Sequence, residues 1–259
     1  MPERITTALN PMEYPFEIRR TSFLWRYREG DEFDPAEDDI TSGRIPILAI
    51  GSNASLQQLD RKFDDSKWRE SDPWNSQIPM TVVEAENVDV VYAANLASYG
   101  SLPATIINSP RARITTMATW LTPLQFEHMN RTEALGHVYE LHRIDDVTQG
   151  TKRLPEVYCY VASHGAATLD GQAVGLQSVE VENLEPLRVS GAERRRGDQQ
   201  GAWDILAADM NAGTAMELFD QSKDPACRRR ILDYLKVHKS DDRAPGERIS
   251  PQEVRSRFE

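Results

Sequence analysis

The sequence predicts an α+β fold built on an antiparallel or mixed sheet. Two features of the 259-residue chain point there. Strand signals cluster between Ile45 and Val181, and helical patterns gather after Trp203. Strands and helices segregated in this way fit a sheet with helices to one side or end better than alternating βα units. A chain of this length forms one or two domains and hides most of its unfolded surface in a core.

Residues 1–44 make a poor folding unit alone. Glu29–Asp39 (EGDEFDPAEDD) is acidic and almost free of apolar side chains, which predicts a solvated loop. Tyr14, Phe16, Phe23, Leu24 and Trp25 are available to dock on a larger body. The organised part opens with Ile45–Ile50, a buried-strand pattern stopped by Gly51. Asn53 or Ser55 then caps a helix over Leu56–Phe63. Residues 64–78 read as loop. Val88–Ala94, Pro103–Ile107 and Arg113–Leu121 read as strands, the last by partial alternation of Ile114, Thr116, Ala118 and Trp120. Thr122-Pro123-Leu124-Gln125 opens a helix with a capping residue, a proline at the first position and Gln three residues after the cap. That helix runs to about Ala134, with Gly136 as its stop.

Val138–His142, Val157–Ser163 and Val174–Val181 complete the strands. Helices follow over Asp204–Met210 and Ala215–Phe219, and then from Asp224-Pro225 to His238 on a stripe of Ile231, Leu232 and Leu235. A last one starts at Ser250-Pro251. The expected organisation is an N-terminal extension over 1–44, a main domain over 45–182 and a C-terminal helical extension over 183–259.

Charge narrows the function classes. Thirty basic against forty-one acidic side chains leave a net charge of −11. That argues against a nucleic-acid binder, which needs a basic footprint, and against adsorption to an anionic membrane. No stretch approaches the roughly 18–20 apolar residues of a membrane span. The N-terminus has neither an apolar core nor a small-residue cleavage site, so no secretion signal is expected. Two cysteines are too few for a disulfide framework. These points predict a cytoplasmic protein without a membrane partner.

Motifs narrow them further. The five histidines stand in no HxH, HxxxH or HExxH spacing and there is no CxxC, so no metal is expected. Phosphate-binding GxxxxGK[ST] and GxGxxG are absent, as is the GxSxG elbow, and no cofactor is expected. Cys159 lies in a strand pattern and reads as a buried thiol. Arg228–Arg230 reads as a solvated helix face, whereas Arg194–Arg196 lies in a glycine-flanked loop and could meet an acidic partner.

Two weak signals gain from their context. Gly51-Ser52-Asn53 follows a strand and precedes a helix, so its backbone N–H groups can face a carboxylate. Glu133 lies near the C-terminus of its helix, where the dipole disfavours an anion by about 0.3–1 kcal/mol. A carboxylate so placed and partly buried is suited to exchange a proton near neutral pH.

Leu48-Ala-Ile-Gly-Ser-Asn53 resembles the (Y)GSN signature of the gamma-glutamylcyclotransferase-like superfamily, which also ends a first strand. Ala104-Thr-Ile-Ile-Asn-Ser-Pro110 resembles that superfamily's small-apolar stretch ending in Ser-Pro. The helix Leu124–Glu133 resembles the one that bears its catalytic glutamate, and Tyr158–Ala162 a later strand that carries a tyrosine. The likeness spans about residues 45–165. Ile50 stands where the signature has tyrosine, Asn130 where it has aspartate and Ala134 where it has glycine.

The resemblance implies a mixed sheet or small β-barrel with flanking helices and extra segments at both ends. It implies Glu133 as the catalytic acid/base, and Ile50, Gly51, Ser52, Asn53 and Tyr160 as substrate-binding residues. Tyr92 and Tyr99 are further wall candidates. The implied reaction is attack of a gamma-glutamyl α-amine on its own side-chain carbonyl, which releases 5-oxoproline and an amine. A non-catalytic small-ligand or partner-binding protein on the same fold is the alternative.

Overall fold

The computed structural model describes residues 10–19, 21–27, 29–34, 39–64, 66–177, 188–191 and 194–258. In chain order, β1 (Phe23–Arg26), β2 (Glu29–Glu32) and β3 (Ile45–Ala49) precede α1 (Leu56–Lys62), α2 (Ser66–Arg69) and α3 (Pro73–Ser76). Two long strands follow, β4 (Ile78–Tyr92) and β5 (Ala104–Leu121), then α4 (Pro123–Thr132). Next come β6 (Tyr139–Ile144), β7 (Val147–Gln149), β8 (Lys152–Leu154) and β9 (Val157–Ala162). The short strands β10 (Thr168–Leu169), β11 (Gln172–Ala173), β12 (Gly175–Leu176), β13 (Arg188–Ser190) and β14 (Arg196–Gly197) lead into α5 (Gln199–Asp209), α6 (Ala215–Gln221) and α7 (Pro225–Val237). β15 (Glu247–Arg248) and α8 (Pro251–Ser256) end the described chain.

The fold is α+β. Among the described residues thirteen strands share one mixed sheet, whose main path runs β14-β12-β4-β5-β3-β9-β6-β15. β4 and β5 form a long antiparallel hairpin, from Tyr92↔Ala104 to Met80↔Thr119, broken by a bulge between Glu86 and Val88. β3 lies antiparallel to β5 and parallel to β9. The implied barrel does not close. The path ends at two different edge strands, each two residues long and carrying an arginine, and edges so short leave little to pair. Both flanking segments join this sheet: β1 pairs with β4, and β15 with β6.

Alternation along the central strands explains why both sheet faces are buried. Val157, Cys159 and Val161 of β9 point into the cluster that holds Trp203, Leu206, Ile231 and Leu235 of the late helices. Tyr158 and Tyr160 point into the opposite cluster, with Leu59 of α1 and Phe126 and Met129 of α4. Successive strand side chains face opposite sides, so an apolar run such as Val157–Ala162 fits a strand covered on both.

The helix starts follow their caps. Ser55 accepts the Gln58 N–H at α1, and Thr122 and Gln125 form a capping box at α4. Elsewhere the expectations need correction. Glu29–Glu32, expected in a solvated loop, is a strand on β1, because the ladder satisfies its backbone while the Asp31 and Glu32 side chains stay exposed. Two short helices occupy the expected loop 64–78, the second capped by Asp72. β4 starts ten residues before the expected Val88, and the two strands expected over 103–121 are one strand, β5. Of the strand expected over 174–181, Gly175–Leu176 is present, and residues 178–187 lie outside the described residues.

Candidate active site

A cavity of about 410 Å³ opens where the turn after β3 meets the end of α4. Its wall includes Ile50, Ser52, Asn53, Glu133 and Tyr160. Gly51 does not line it. Gly51 is buried behind the turn at φ +59°, where an added Cβ would run into the Tyr14 hydroxyl and come within 2.9 Å of the Ala104 Cβ. Tyr99 lines the cavity, whereas Tyr92 lies in the core with its hydroxyl donated to the Gly197 carbonyl at 3.0 Å.

Each element delivers its side chain for a local reason. Gly51 turns the chain sharply after β3, and residues 51–54 form a single 3₁₀ turn that projects Asn53 towards α4. Glu133 is the C-terminal cap residue of α4, and Ala134 follows in the left-handed region at φ +48°, which ends the helix. Asn53 Nδ2 donates to Glu133 Oε1 at 2.9 Å across 80 positions of sequence. Tyr160 donates to Asn130 Oδ1 at 2.7 Å, which fixes β9 against α4 beside the glutamate.

Lys62 completes the group. Its ammonium is ion-paired with Glu133 Oε1 and donates to Asn53 Oδ1 at 2.8 Å. The Lys62 and Glu133 side chains are 4% and 10% exposed, so most of the solvent that would screen the pair is gone. Burial pulls the Lys62 ammonium below its ordinary range, while Glu133 acts in the opposite direction. His128 Nε2 donates to the Lys62 carbonyl at 2.7 Å and ties α1 to α4. Both polar contacts of the glutamate fall on Oε1, so Oε2 has no protein partner among the described residues and remains for a ligand.

Lys62 and Tyr14 are two wall residues that the sequence reading passed over, and Arg228, read there as part of a solvated helix face, is a third. The signal for Lys62 was helical phase, since it shares an inward face with Gln58 and Leu59. A lysine on an apolar face needs an acid nearby. Tyr14 reaches the site from the N-terminal segment. Its oxygen accepts the Ala104 N–H at 2.7 Å.

Two more cations line the cavity. Arg61 stands at the rim over the Tyr99 ring, 5.1 Å from its centroid, and makes no ion pair among the described residues. Arg228, on α7, lines the opposite side and donates to the Leu96 and Ala97 carbonyls at 2.7 and 2.8 Å. With Lys62 and Glu133 balanced, these two arginines leave the wall positive in a chain of net charge −11.

The other candidates fall outside the cavity. Cys159 is free and buried, and burial pushes its thiol upward. Arg194 and Arg196 turn inward onto the buried carboxylate of Asp89, and Arg195 lies 3.5 Å from Asp170. Among the described residues no three metal-ligating side chains converge, and no helix is long and apolar enough to cross a membrane.

No family model matches the chain, and no curated protein matches it. Two solved structures do. One is a gamma-glutamyl cyclotransferase, at 12% identity and a TM-score of 0.37, covering 83% of this chain and 97% of that one. The other is an uncharacterized protein from Homo sapiens, at 12% identity and a TM-score of 0.30, covering 69% and 82%.

Proposed function

We propose that the protein is a gamma-glutamylcyclotransferase-like enzyme that releases 5-oxoproline and an amine from a gamma-glutamyl compound. The observation that carries this reading is the 2.9 Å hydrogen bond from Asn53 to Glu133. It joins the Gly-Ser-Asn turn and the helix-borne glutamate, the two pieces whose likeness to that superfamily suggested the reaction, on the wall of one cavity.

The chemistry requires few parts. Glu133 Oε2 takes a proton from the substrate α-ammonium. The freed amine attacks the γ-carbonyl carbon and closes a five-membered ring. Collapse of the adduct breaks the bond to the leaving nitrogen, which receives that proton from Glu133; the ring nitrogen then gives up its second proton through the same carboxylate to the released amine, which departs as an ammonium and leaves a neutral lactam. No water is consumed and no charge accumulates over the cycle. Lys62 and Asn53 anchor Oε1, so Oε2 is the oxygen that moves the proton. Attack is intramolecular, and holding the bent conformer supplies much of the rate. The positive wall, with Arg61 and Arg228, suits the substrate carboxylate.

The test is incubation with gamma-glutamyl amino acids, peptides and amines, with 5-oxoproline as the readout. Turnover by the unmutated protein should fall about 10²-fold or more in Glu133→Gln, the scale of a lost general acid/base, with an unchanged thermal melt. Binding without 5-oxoproline release would favour the non-catalytic ligand-binding alternative. Unchanged turnover in Glu133→Gln would make Glu133 a structural helix-end residue.

A further inference from the structure

We propose that Tyr14, carried by the N-terminal segment, is a catalytic residue of this cavity: its hydroxyl donates a hydrogen bond to the substrate oxygen that gains negative charge. The reaction it would serve rests on the cyclotransfer reading above. The assignment of the residue rests on its own geometry.

Tyr14 is 2% exposed and lines the cavity. A phenol offers one donor and also accepts. The hydrogen bond that the Tyr14 hydroxyl makes uses it as acceptor, from the Ala104 N–H at 2.7 Å. Its own O–H finds no acceptor among the described residues. A buried donor without a partner is costly, and natural structures seldom leave one so. The cavity is where a partner for it can bind.

Three features make this donor suited to catalysis. First, it is fixed. The Ala104 N–H at the start of β5 holds the oxygen, and Gly51 in the turn after β3 leaves just enough room for the ring. A preset donor needs no reorganisation when charge develops. Second, it is polarised, since accepting the Ala104 N–H strengthens the outgoing O–H as a donor. Third, it stays protonated. Burial pushes the hydroxyl well above the ordinary tyrosine range, and the nearby Tyr99 and Glu133 add to that.

The step balances without a further reactant. Attack of the amine moves the carbonyl π pair onto oxygen. The Tyr14 O–H donates to that oxygen and keeps its proton. When the carbonyl re-forms, the leaving nitrogen departs with the proton held by Glu133, and the ring nitrogen's second proton follows through the same carboxylate, so the lactam is neutral and the amine leaves as an ammonium. Tyr14 and Glu133 thus divide the work: one stabilises charge and the other moves the proton.

The experiment measures kcat and KM separately for 5-oxoproline release, well below the melting temperature. Tyr14→Phe should lower kcat by about 10²–10³-fold, as for loss of one preset donor, with KM nearly unchanged. A lower melting temperature fits either role, because Phe orphans the Ala104 N–H, so stability decides nothing here. The second chain carries 3,5-difluorotyrosine at position 14. It keeps the ring and oxygen but makes the O–H a stronger donor, and kcat should rise a few-fold; this chain also serves if Tyr14→Phe fails to fold. A kcat indifferent to either change would overturn the assignment and leave the cyclotransfer reading standing. Unmutated protein that neither releases nor binds 5-oxoproline would remove both. If it binds 5-oxoproline without turnover, weaker binding by Tyr14→Phe supports the donor and equal binding overturns it.

Discussion

Lys62 and Glu133 lie 71 residues apart and form a nearly solvent-free ion pair on the wall of the cavity, bridged by Asn53. The pair converts two unrelated sequence features, a lysine on the inward face of α1 and a glutamate at the end of α4, into one rigid unit. Removing one charge from such a pair leaves the other poorly compensated.

The titration of Lys62 should be visible in stability. Its folded-state value is depressed, with burial the largest cause. In the unfolded chain a lysine titrates near ~10.4. Between those two values the unfolded chain binds more protons, so stability from this group rises with pH. The melting-temperature difference, unmutated minus Lys62→Met, should therefore grow as pH rises towards the ordinary lysine range of ~10.4. A flat or shrinking difference would show that Lys62 titrates in its ordinary range.

Gly51 and Tyr14 should behave as a coupled pair. Gly51→Ala places a methyl group at φ +59° and against the Tyr14 hydroxyl. Its cost should exceed about 1 kcal/mol, the usual scale for a non-glycine residue forced into the left-handed region. Tyr14→Ala removes the obstacle as well as its own packing. The double variant should then be less destabilised than the two singles combined, by about 0.5–3 kcal/mol. Urea midpoints measure this, and simple additivity would mean that the two residues do not press on each other.

Local rules made part of this structure readable in advance. Ser55 and the Thr122–Gln125 box mark helix starts because caps act within one turn. The segregation of strands and helices gave the α+β class. Longer-range facts were hidden. The polar stretch at Glu29–Glu32 becomes a strand only because β1 is there to pair with it. The break expected between Ile107 and Arg113 appears in the ladder and not in the strand: Asn108 pairs with Val88 and Arg113 with Glu86, so residues 109–112 bulge from one continuous β5. Lys62 and Tyr14 carry no motif, and their roles depend on Glu133 and Ala104, which only the folded chain brings to them.

Ser52 should contribute mildly. Its side chain lines the cavity together with Tyr99, and its backbone belongs to the turn whatever the side chain is. Ser52→Ala should weaken substrate binding by about 0.5–1.5 kcal/mol, the net worth of one hydrogen bond. That reads as a several-fold rise in KM with kcat preserved. A collapse of kcat in Ser52→Ala, comparable with Glu133→Gln, would instead place the hydroxyl in the proton path.

The run Arg194–Arg196 provides a contrast within three consecutive residues. The Asp89 carboxylate is fully buried. Arg196 donates to its Oδ1 and also to the Leu176 carbonyl, and Arg194 lies 3.6 Å from its Oδ2 and 3.1 Å from Asp242. Arg195 faces outward, 59% exposed, towards an Asp170 that is 75% exposed. An exposed pair of that kind contributes about 0–1 kcal/mol, so Arg195→Gln should melt close to the unmutated protein. Arg196→Gln leaves a buried carboxylate with one distant cation, and it also loosens β14, which pairs with β12. Its cost should be clearly larger, though below the roughly 3–5 kcal/mol of a fully buried broken pair, because the Arg196 side chain keeps 22% of its exposure. Restoring neutrality by Asp89→Asn in the Arg196→Gln background should recover part of the loss. If instead Arg195→Gln is the damaging change and Arg196→Gln is silent, the inward clamp on Asp89 is not what holds this segment.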